Sequence, residues 1–492
     1  MAVPSPCRIF LLRHGRADMP DTEGRVWNYS DAPLTPSGRR RAAEVASALA
    51  CSRLDAVITS DLTRARQTAE IIGSVREAPV FVERRLRELD IGDFEGMTLP
   101  RLREVDARFL PWLEIYFEGR HAGPEFHIPA ELSWPGGESI AATQQRALPA
   151  FVEIATRWAG RTVAVCTHAY VFQALLCHVV GIDVSRYWAF AGLNASVTLV
   201  EVGPDGRGVI RALNADLPPG DLVGGRLPTR SGATAARDVA ARDAASTCRV
   251  FIARHGQSMA VEDGAPVFSH HPIGLTASGR SQARRLATRL EPVRLDAVYT
   301  SDLNRARETA APVAEVQELT PVVVPELREI SLGDFEGITL ARVHGEHADF
   351  IPWLEVTFND WFPSDDFHHP ADLVFPGGES VVMVYERTIE SFLRIVRAHL
   401  GGTIAVIGHG WVLQPILCHV IGAPTRNYFR LQLPYAAPAL VEVDGEGIGV
   451  LEVLNAGCAM LEDDDADAPP APAVHERPVG RGAAHGRSGD NQ

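Results

Sequence analysis

The chain has 492 residues, 46% of them hydrophobic and 22% charged, and a formal net charge of −15. That acidic balance argues against non-specific binding to nucleic acid or anionic membranes, and no run approaches the ~18–20 apolar residues of a membrane span. All 47 basic residues are arginine, so arginine content alone says nothing about phosphate; only position can. Seven scattered cysteines with no Cys-x-x-Cys, and an N-terminus without the basic, apolar and small-residue succession of a signal peptide, predict a reduced, cytoplasmic setting.

Ile9-Phe10-Leu11-Leu12 reads as a short buried strand that ends in Arg13-His14-Gly15: a cation, an imidazole and a hinge. Ligands of open α/β sheets sit at that end of a strand. Residues 16–33 are polar and irregular, suited to a loop at the mouth of a sheet. Leu34-Thr35-Pro36-Ser37-Gly38 opens a helix through about Leu49, with Thr35 or Ser37 as N-cap. Ala56–Thr59 is a second strand, Ser60-Asp61 a second cap, Leu62–Ile72 a second helix and Val80–Val82 a third strand. Residues 98–134 form a long excursion containing Trp112, of the kind that is usually functional. A helix runs from Gly136-Gly137-Glu138-Ser139 to about Trp158. Thr162–Thr167 is a central strand ending at His168, with a helix through Val180 behind it. Val197–Val202 and Val209–Leu213 close the unit. The alternation predicts an α/β fold with a mostly parallel sheet flanked by helices.

The whole plan then returns. His14 becomes His255, an offset of 241, and the same offset carries Arg13 to Arg254, Arg64 to Arg305, Glu88 to Glu329, Trp112 to Trp353, His168 to His409 and Asn214 to Asn455. Solenoid periods are about 20–50 residues, so this is a duplicated domain. The expected organisation is domain 1 over 1–215, a linker over 216–247, domain 2 over 248–461 and a disordered tail over 462–492. The two domains are candidates to pair within the chain.

Arg13, His14, Arg64, Glu88 and His168 gather at strand ends in copy one. Two guanidiniums offer forked donors that match a tetrahedral oxyanion. Two imidazoles titrate near neutrality, so either can be nucleophile, acid or base. One carboxyl can protonate a leaving alkoxide if burial raises its pKa. Together they describe phosphoryl transfer through a phosphohistidine. No Asp, Glu or His cluster has metal-site spacing near the strand ends, so neither a metal nor another cofactor is expected.

The ordered motifs resemble the histidine phosphatase superfamily, also called phosphoglycerate-mutase-like. Copy one has Arg13-His14-Gly15, Leu34-Thr35-x-x-Gly38, Ser60-x-x-x-Arg64-x-x-x-Thr68-Ala69, Leu86-x-Glu88-x-x-x-Gly92, Gly136-Gly137-Glu138-Ser139 and Thr167-His168. Copy two has Arg254-His255-Gly256, Leu275-Thr276-x-x-Gly279, Ser301-x-x-x-Arg305-x-x-x-Thr309-Ala310, Leu327-x-Glu329-x-x-x-Gly333, Gly377-Gly378-Glu379-Ser380 and Gly408-His409-Gly410. The resemblance implies two tandem domains of that fold. It implies His14 and His255 as phosphorylated nucleophiles and Glu88 and Glu329 as proton donors. Arg13, Arg64 and His168 would form one phosphate pocket, and Arg254, Arg305 and His409 the other. Ala169 and Gly410 stand where the phytase-like branch has Asp, which points to the other branch. Ser258 matches a family position after the nucleophile; Ala17, Pro20 and Val261 depart from the pattern.

The activity expected is a metal-independent phosphomonoesterase for small phosphorylated metabolites. The alternatives are a mutase of the phosphoglycerate type, or one active domain with one regulatory or binding domain. Other residues have blander readings: Arg66 and Arg307 as surface, Glu95 and Glu336 as structural, His178 and His419 as core, and His127 and His368 as substrate contacts or loop packing with equal weight.

Overall fold

The computed structural model describes residues 5–19, 25–105, 107–109, 129–215, 246–258, 266, 268–339, 342, 350 and 371–456. Nearly all of the expected linker, the whole expected tail, Pro20, Val261, and Trp112, His127, Trp353 and His368 of the excursions lie outside those residues.

Each copy builds a six-stranded sheet. In copy one, β1 (Cys7–Arg13), β2 (Ala56–Thr59), β3 (Val80–Val82), β4 (Thr162–Thr167), β5 (Thr198–Val202) and β6 (Gly208–Ala212) lie in the order β3-β2-β4-β1-β5-β6. β1, β2, β3 and β4 pair parallel; β5 runs antiparallel to both its neighbours. The mostly parallel expectation holds, with β5 as the reversed strand. Copy two repeats this with β7 (Cys248–Arg254), β8 (Ala297–Thr300), β9 (Val322–Val323), β10 (Thr403–Gly408), β11 (Pro438–Val443) and β12 (Gly449–Val453), in the order β12-β11-β7-β10-β8-β9.

β1 is apolar without alternation because both its faces are covered. Ile9 and Leu11 join the core containing Phe151 and Leu175, from α4 (Ile140–Arg157) and α5 (Ala169–Val180), which follow the short α3 (Leu99–Val105). Phe10 and Leu12 turn the other way, onto Val45 of α1 (Pro36–Ala48) and Ile72 of α2 (Thr63–Arg76). Four such side chains, fully buried at ~1.5–3 kcal/mol each, lock the strand in register: Leu11 lies opposite Val165, and Arg13 opposite Thr167. Arg13 and His14 are thereby delivered to the carboxyl edge of the parallel strands, where β4 also ends.

Thr35 caps α1 by accepting the Gly38 N–H at 3.0 Å, and Ser139 caps α4 by accepting that of Ala142 at 3.0 Å. The second helix differs from expectation. It begins at Thr63 and continues past Ile72 to Arg76. Its opening N–H, that of Thr63, is taken by Asp31 at 2.6 Å, a residue supplied by the mouth loop. His178 and His419, assigned to the core by the sequence, are half-buried; each bonds a hairpin carbonyl, Asp205 O at 2.9 Å and Glu446 O at 2.8 Å.

Hydrogen bonds also run from copy to copy. Leu213 and Leu454 exchange two backbone bonds of 3.1 and 2.9 Å. Asn214 and Asn455 are fully buried, with left-handed φ of 49° and 61°. Asn214 Nδ2 donates to Glu452 O at 2.7 Å, and Asn455 Nδ2 to Arg211 O at 2.5 Å. These partners are themselves equivalent positions, so the contact is reciprocal, as in a two-fold interface.

Candidate active site

His14 follows β1 directly. Its backbone N–H continues the sheet onto Thr167 O at 3.0 Å, and the ring is 6% exposed. Nδ1 lies 2.7 Å from Gly15 O. A carbonyl only accepts, so Nδ1 carries the proton and Nε2 keeps its lone pair. That lone pair receives the Arg64 Nε–H at 3.1 Å. Gly15 is required because a Cβ there would stand 2.6 Å from Gly38 O; the Gly in the α1 motif and the Gly after His14 are one packing contact.

Arg64 sits in the first turn of α2 and is 2% exposed. Its other nitrogens donate to Ser30 O at 2.5 Å and Asn28 O at 2.7 Å. The loop carrying those carbonyls is held by Glu95, whose carboxylate accepts the N–H groups of Asn28, Tyr29 and Ser30. Arg13 donates Nη1 to Gly192 O at 2.7 Å. His168 stands at the end of β4 with its ring centroid 5.0 Å from that of His14. Its Nε2 is 2.8 Å from Ser60 Oγ, while Nδ1 is buried without a hydrogen-bond partner. Ser60 Oγ already accepts the Leu62 N–H at 3.3 Å and has its own hydrogen to give. Donated to Nε2, that hydrogen fixes the tautomer that leaves Nδ1–H for a ligand.

Glu88 is 4% exposed. It substitutes for a side-chain cap on α5, accepting the N–H groups of Ala169 at 2.9 Å and Tyr170 at 3.2 Å, as well as that of Leu89 at 3.0 Å. Burial raises its pKa above the ordinary carboxylate range, against the pull of the Leu89 N–H, Arg13 and Arg64. Burial, then Arg64 and Arg13, hold His14 well below the usual imidazole value; burial, then Arg64 and His14, do the same to His168. Burial thus disfavours the charged form of both imidazoles and of the carboxyl beside them.

Copy two reproduces the geometry. His255 Nδ1 is 2.7 Å from Gly256 O, and Arg305 Nε donates to His255 Nε2 at 3.2 Å. His409 Nε2 is 2.7 Å from Ser301 Oγ, its Nδ1 is buried without a partner, and its ring centroid lies 5.1 Å from that of His255. Burial lowers the pKa of both histidines and raises that of Glu329. The copies also differ in detail. Glu329 accepts one N–H among the described residues, that of Ile330 at 3.0 Å. Tyr435 stands where copy one has Asn194. His270 replaces Tyr29, with Nε2 2.8 Å from Glu329 O.

All ten residues named for the chemistry thus gather as two quintets. Arg66 lies outside, half-exposed in a surface pair with Glu70, and Arg307 is exposed. The sequence reading took Ser60 as a helix cap and Ser301 as its repeat in the motif, without their bonds to His168 and His409, and passed over Asn28 and Ser30, which hold Arg64 through carbonyls. It placed Glu95 and Glu336 correctly as structural, but without seeing what they support. Their recurrence at the 241 offset was the available signal. Among the described residues, no group of three or more His, Cys, Asp or Glu is placed to hold a metal ion, and no helix is long and apolar enough to cross a membrane.

The profile of the histidine phosphatase superfamily (branch 1) matches residues 9–216 and again 250–456. The chain belongs to the histidine phosphatase superfamily. It is an enzyme of the histidine phosphatase type, carrying the family fold twice. It is 28% identical over 208 residues to phosphoserine phosphatase 1 of Hydrogenobacter thermophilus, covering 42% of this chain and 92% of that one. It is 27% identical over 216 residues to adenosylcobalamin/alpha-ribazole phosphatase of Escherichia coli, covering 44% and 99%. Among solved structures, a mycobacterial glucosyl-3-phosphoglycerate phosphatase is 25% identical with a TM-score of 0.38, covering 43% of this chain and 100% of that chain.

Proposed function

We propose that this histidine phosphatase hydrolyses small phosphorylated metabolites at two sites, each through a phosphohistidine and without a metal. One observation carries the reading: the protonated Nδ1 of His14 leaves the Nε2 lone pair beside Arg64, within a buried cluster that also holds His168 and Glu88. The named relatives act on small phosphate esters, which agrees.

In this scheme Nε2 of His14 attacks phosphorus and the phosphorus–oxygen bond to the leaving group breaks. Glu88 gives its proton to the departing oxygen. Arg13, Arg64 and His168 Nδ1–H hold the equatorial oxygens. Water then attacks the phosphohistidine, Glu88 recovers a proton from it, the P–N bond breaks and phosphate leaves. His255, Glu329, Arg254, Arg305 and His409 take the same roles in copy two.

We assign the domains to 1–215 and 248–461, joined by 216–247 and followed by the tail 462–492. The reciprocal Asn214 and Asn455 bonds support pairing of the two within the chain. The working setting is the cytoplasm, with no nucleic-acid or membrane partner. Phosphate release from a panel of phosphomonoesters by wild type, His14→Ala, His255→Ala and the double variant tests the scheme. Each single variant should keep the other site's turnover, and the double variant should fall to background. A double variant with wild-type turnover would refute it; phosphate appearing on an acceptor alcohol instead of in solution would make the enzyme a mutase.

A further inference from the structure

The catalytic quintets are alike, but one wall of the second site is built differently. The residue after Leu193 in copy one is Asn194, whose Nδ2 donates to His14 O at 2.8 Å. The equivalent in copy two is Tyr435. Its position is fixed from both sides: it forms a bridge with Arg254, as Asn194 does with Arg13, and it precedes Ala436, whose φ is +52°. Ala195 in copy one has φ +44°. A left-handed alanine is strained, and such strain gathers where a neighbouring side chain must be aimed. Here it sets residue 194 or 435 beside the nucleophile.

The Tyr435 ring lies with its centroid 4.3 Å from Arg254 Cζ and 5.8 Å from the His255 ring. Tyr435 is half-buried, and its hydroxyl makes no hydrogen bond to a described residue. The Arg254 side chain likewise makes none, and its Nε is buried, whereas Arg13 is tied to Gly192 O. The second site therefore presents a partly open aromatic surface and an unengaged phenol hydroxyl next to its phosphate-pocket cation. In copy one Tyr29 is engaged by Arg87 through both its hydroxyl (3.0 Å) and its ring (5.2 Å), and Tyr170, whose N–H Glu88 accepts, is buried.

We propose that Tyr435 is a specificity-determining residue of the second site, forming the wall against which a ring-bearing leaving group, aryl or sugar, lies while its phosphate is transferred to His255. The first site, with Asn194 at that place, lacks the ring surface and favours acyclic leaving groups by comparison. Aromatic surface and one hydrogen-bonding group beside the reacting centre are the features that discriminate leaving groups. This inference rests on the phosphomonoesterase reading of the second site.

The test uses full-length His14→Ala, in which the second site works alone, and full-length His255→Ala for the first. The readout is the ratio of kcat/KM for phenyl phosphate to that for glycerol 2-phosphate. In the His14→Ala protein, Tyr435→Asn should lower that ratio roughly three- to tenfold. Tyr435→Leu, which keeps bulk without the π face, should lower it similarly, and Tyr435→Phe should preserve it. Asn194→Tyr in the His255→Ala protein should raise it. Turnover with an unchanged ratio in both Tyr435→Asn and Tyr435→Leu would overturn the proposal alone. A His14→Ala protein that hydrolyses neither ester would overturn the phosphomonoesterase reading of that site, and the proposal with it.

Discussion

Replacing Glu88 by Gln in the full-length His255→Ala protein tests the acid role where the geometry is most demanding. Gln is nearly isosteric and can still accept the Leu89 and Tyr170 N–H groups through one oxygen, but it has no acidic proton. Loss of a general acid typically costs ~10²–10⁴-fold, or about 2.7–5.4 kcal/mol in the barrier. A second effect must be separated from the first. Glu88 Oε2 accepts the Ala169 N–H at 2.9 Å, and an NH2 there would face a donor with a donor. A buried donor left unsatisfied costs about 1–3 kcal/mol, which falls on folding and on the start of α5. Leaving-group dependence distinguishes the two. Glycerol 2-phosphate departs as an alkoxide that needs the proton; p-nitrophenyl phosphate departs as a stabilised phenolate that needs it far less. The expected result is a loss of at least a hundredfold in kcat/KM on glycerol 2-phosphate and a much smaller loss on p-nitrophenyl phosphate, with a lowered melting midpoint. Equal losses on both esters would show that Glu88 only holds α5 and His168 in place, and the acid would have to be sought elsewhere.

Other consequences are as direct. Activity should survive dialysis against EDTA; loss on chelation, restored by Mg²⁺ or Zn²⁺, would contradict the scheme. Because His14, His168, His255 and His409 are held well below 6.5 in the folded chain, the unfolded chain binds more protons as pH falls below that value, and stability must fall with it. The urea midpoint of wild type should therefore drop more steeply below pH 6.5 than that of the His14→Ala, His255→Ala double variant; matching slopes would mean the imidazoles are not buried as described. Glu329 has the opposite sign. Its raised folded pKa gives stability that is full below the ordinary carboxylate value and lost as pH rises through the folded one. Glu329→Gln, which disturbs one N–H contact rather than three, should thus melt higher than wild type at pH 8, with the difference shrinking toward pH 4.5. Asn214→Ala removes the donor to Glu452 O and should speed amide exchange at Leu213 and at Leu454 together; protection lost only within copy one would argue against pairing.

The fold was legible because its determinants are local. A run such as Ile9–Leu12 is buried on both faces and declares itself by lacking alternation, and Thr35 and Ser139 cap the helices they precede in sequence. The misplaced start of α2 shows where locality ends. The Thr63 N–H is satisfied by Asp31, brought back by a loop whose path no periodicity reports, so the nearer Ser60 looks like the cap. Ser60 does accept the Leu62 N–H, but it is also engaged with His168. Asn214 and Asn455 recur in sequence, but nothing there names the carbonyls across the copies, Glu452 O and Arg211 O, that receive their carboxamides.

The site was legible in its charged and titrating members, and less so in what holds them. Arg64 and Arg305 stand out because an arginine at a helix start, four residues after a serine, recurs intact. Their restraints do not, because backbone carbonyls can be supplied by any residue: Asn28 and Ser30 hold Arg64, while Ser269 holds Arg305 at 2.6 Å. The loop holding these carbonyls can therefore change its side chains freely, provided Glu95 or Glu336 still gathers its N–H groups. That freedom has a functional side. Asn28-Tyr29-Ser30 has become Ser269-His270-His271 without moving the arginine, and Asn194 has become Tyr435 without moving the nucleophile. The arginine of each site is constrained by backbone geometry that many sequences satisfy. After duplication of such a unit the buried histidine–arginine geometry stands in both copies, while the residue beside it differs, which is the difference the proposed leaving-group preference of Tyr435 requires.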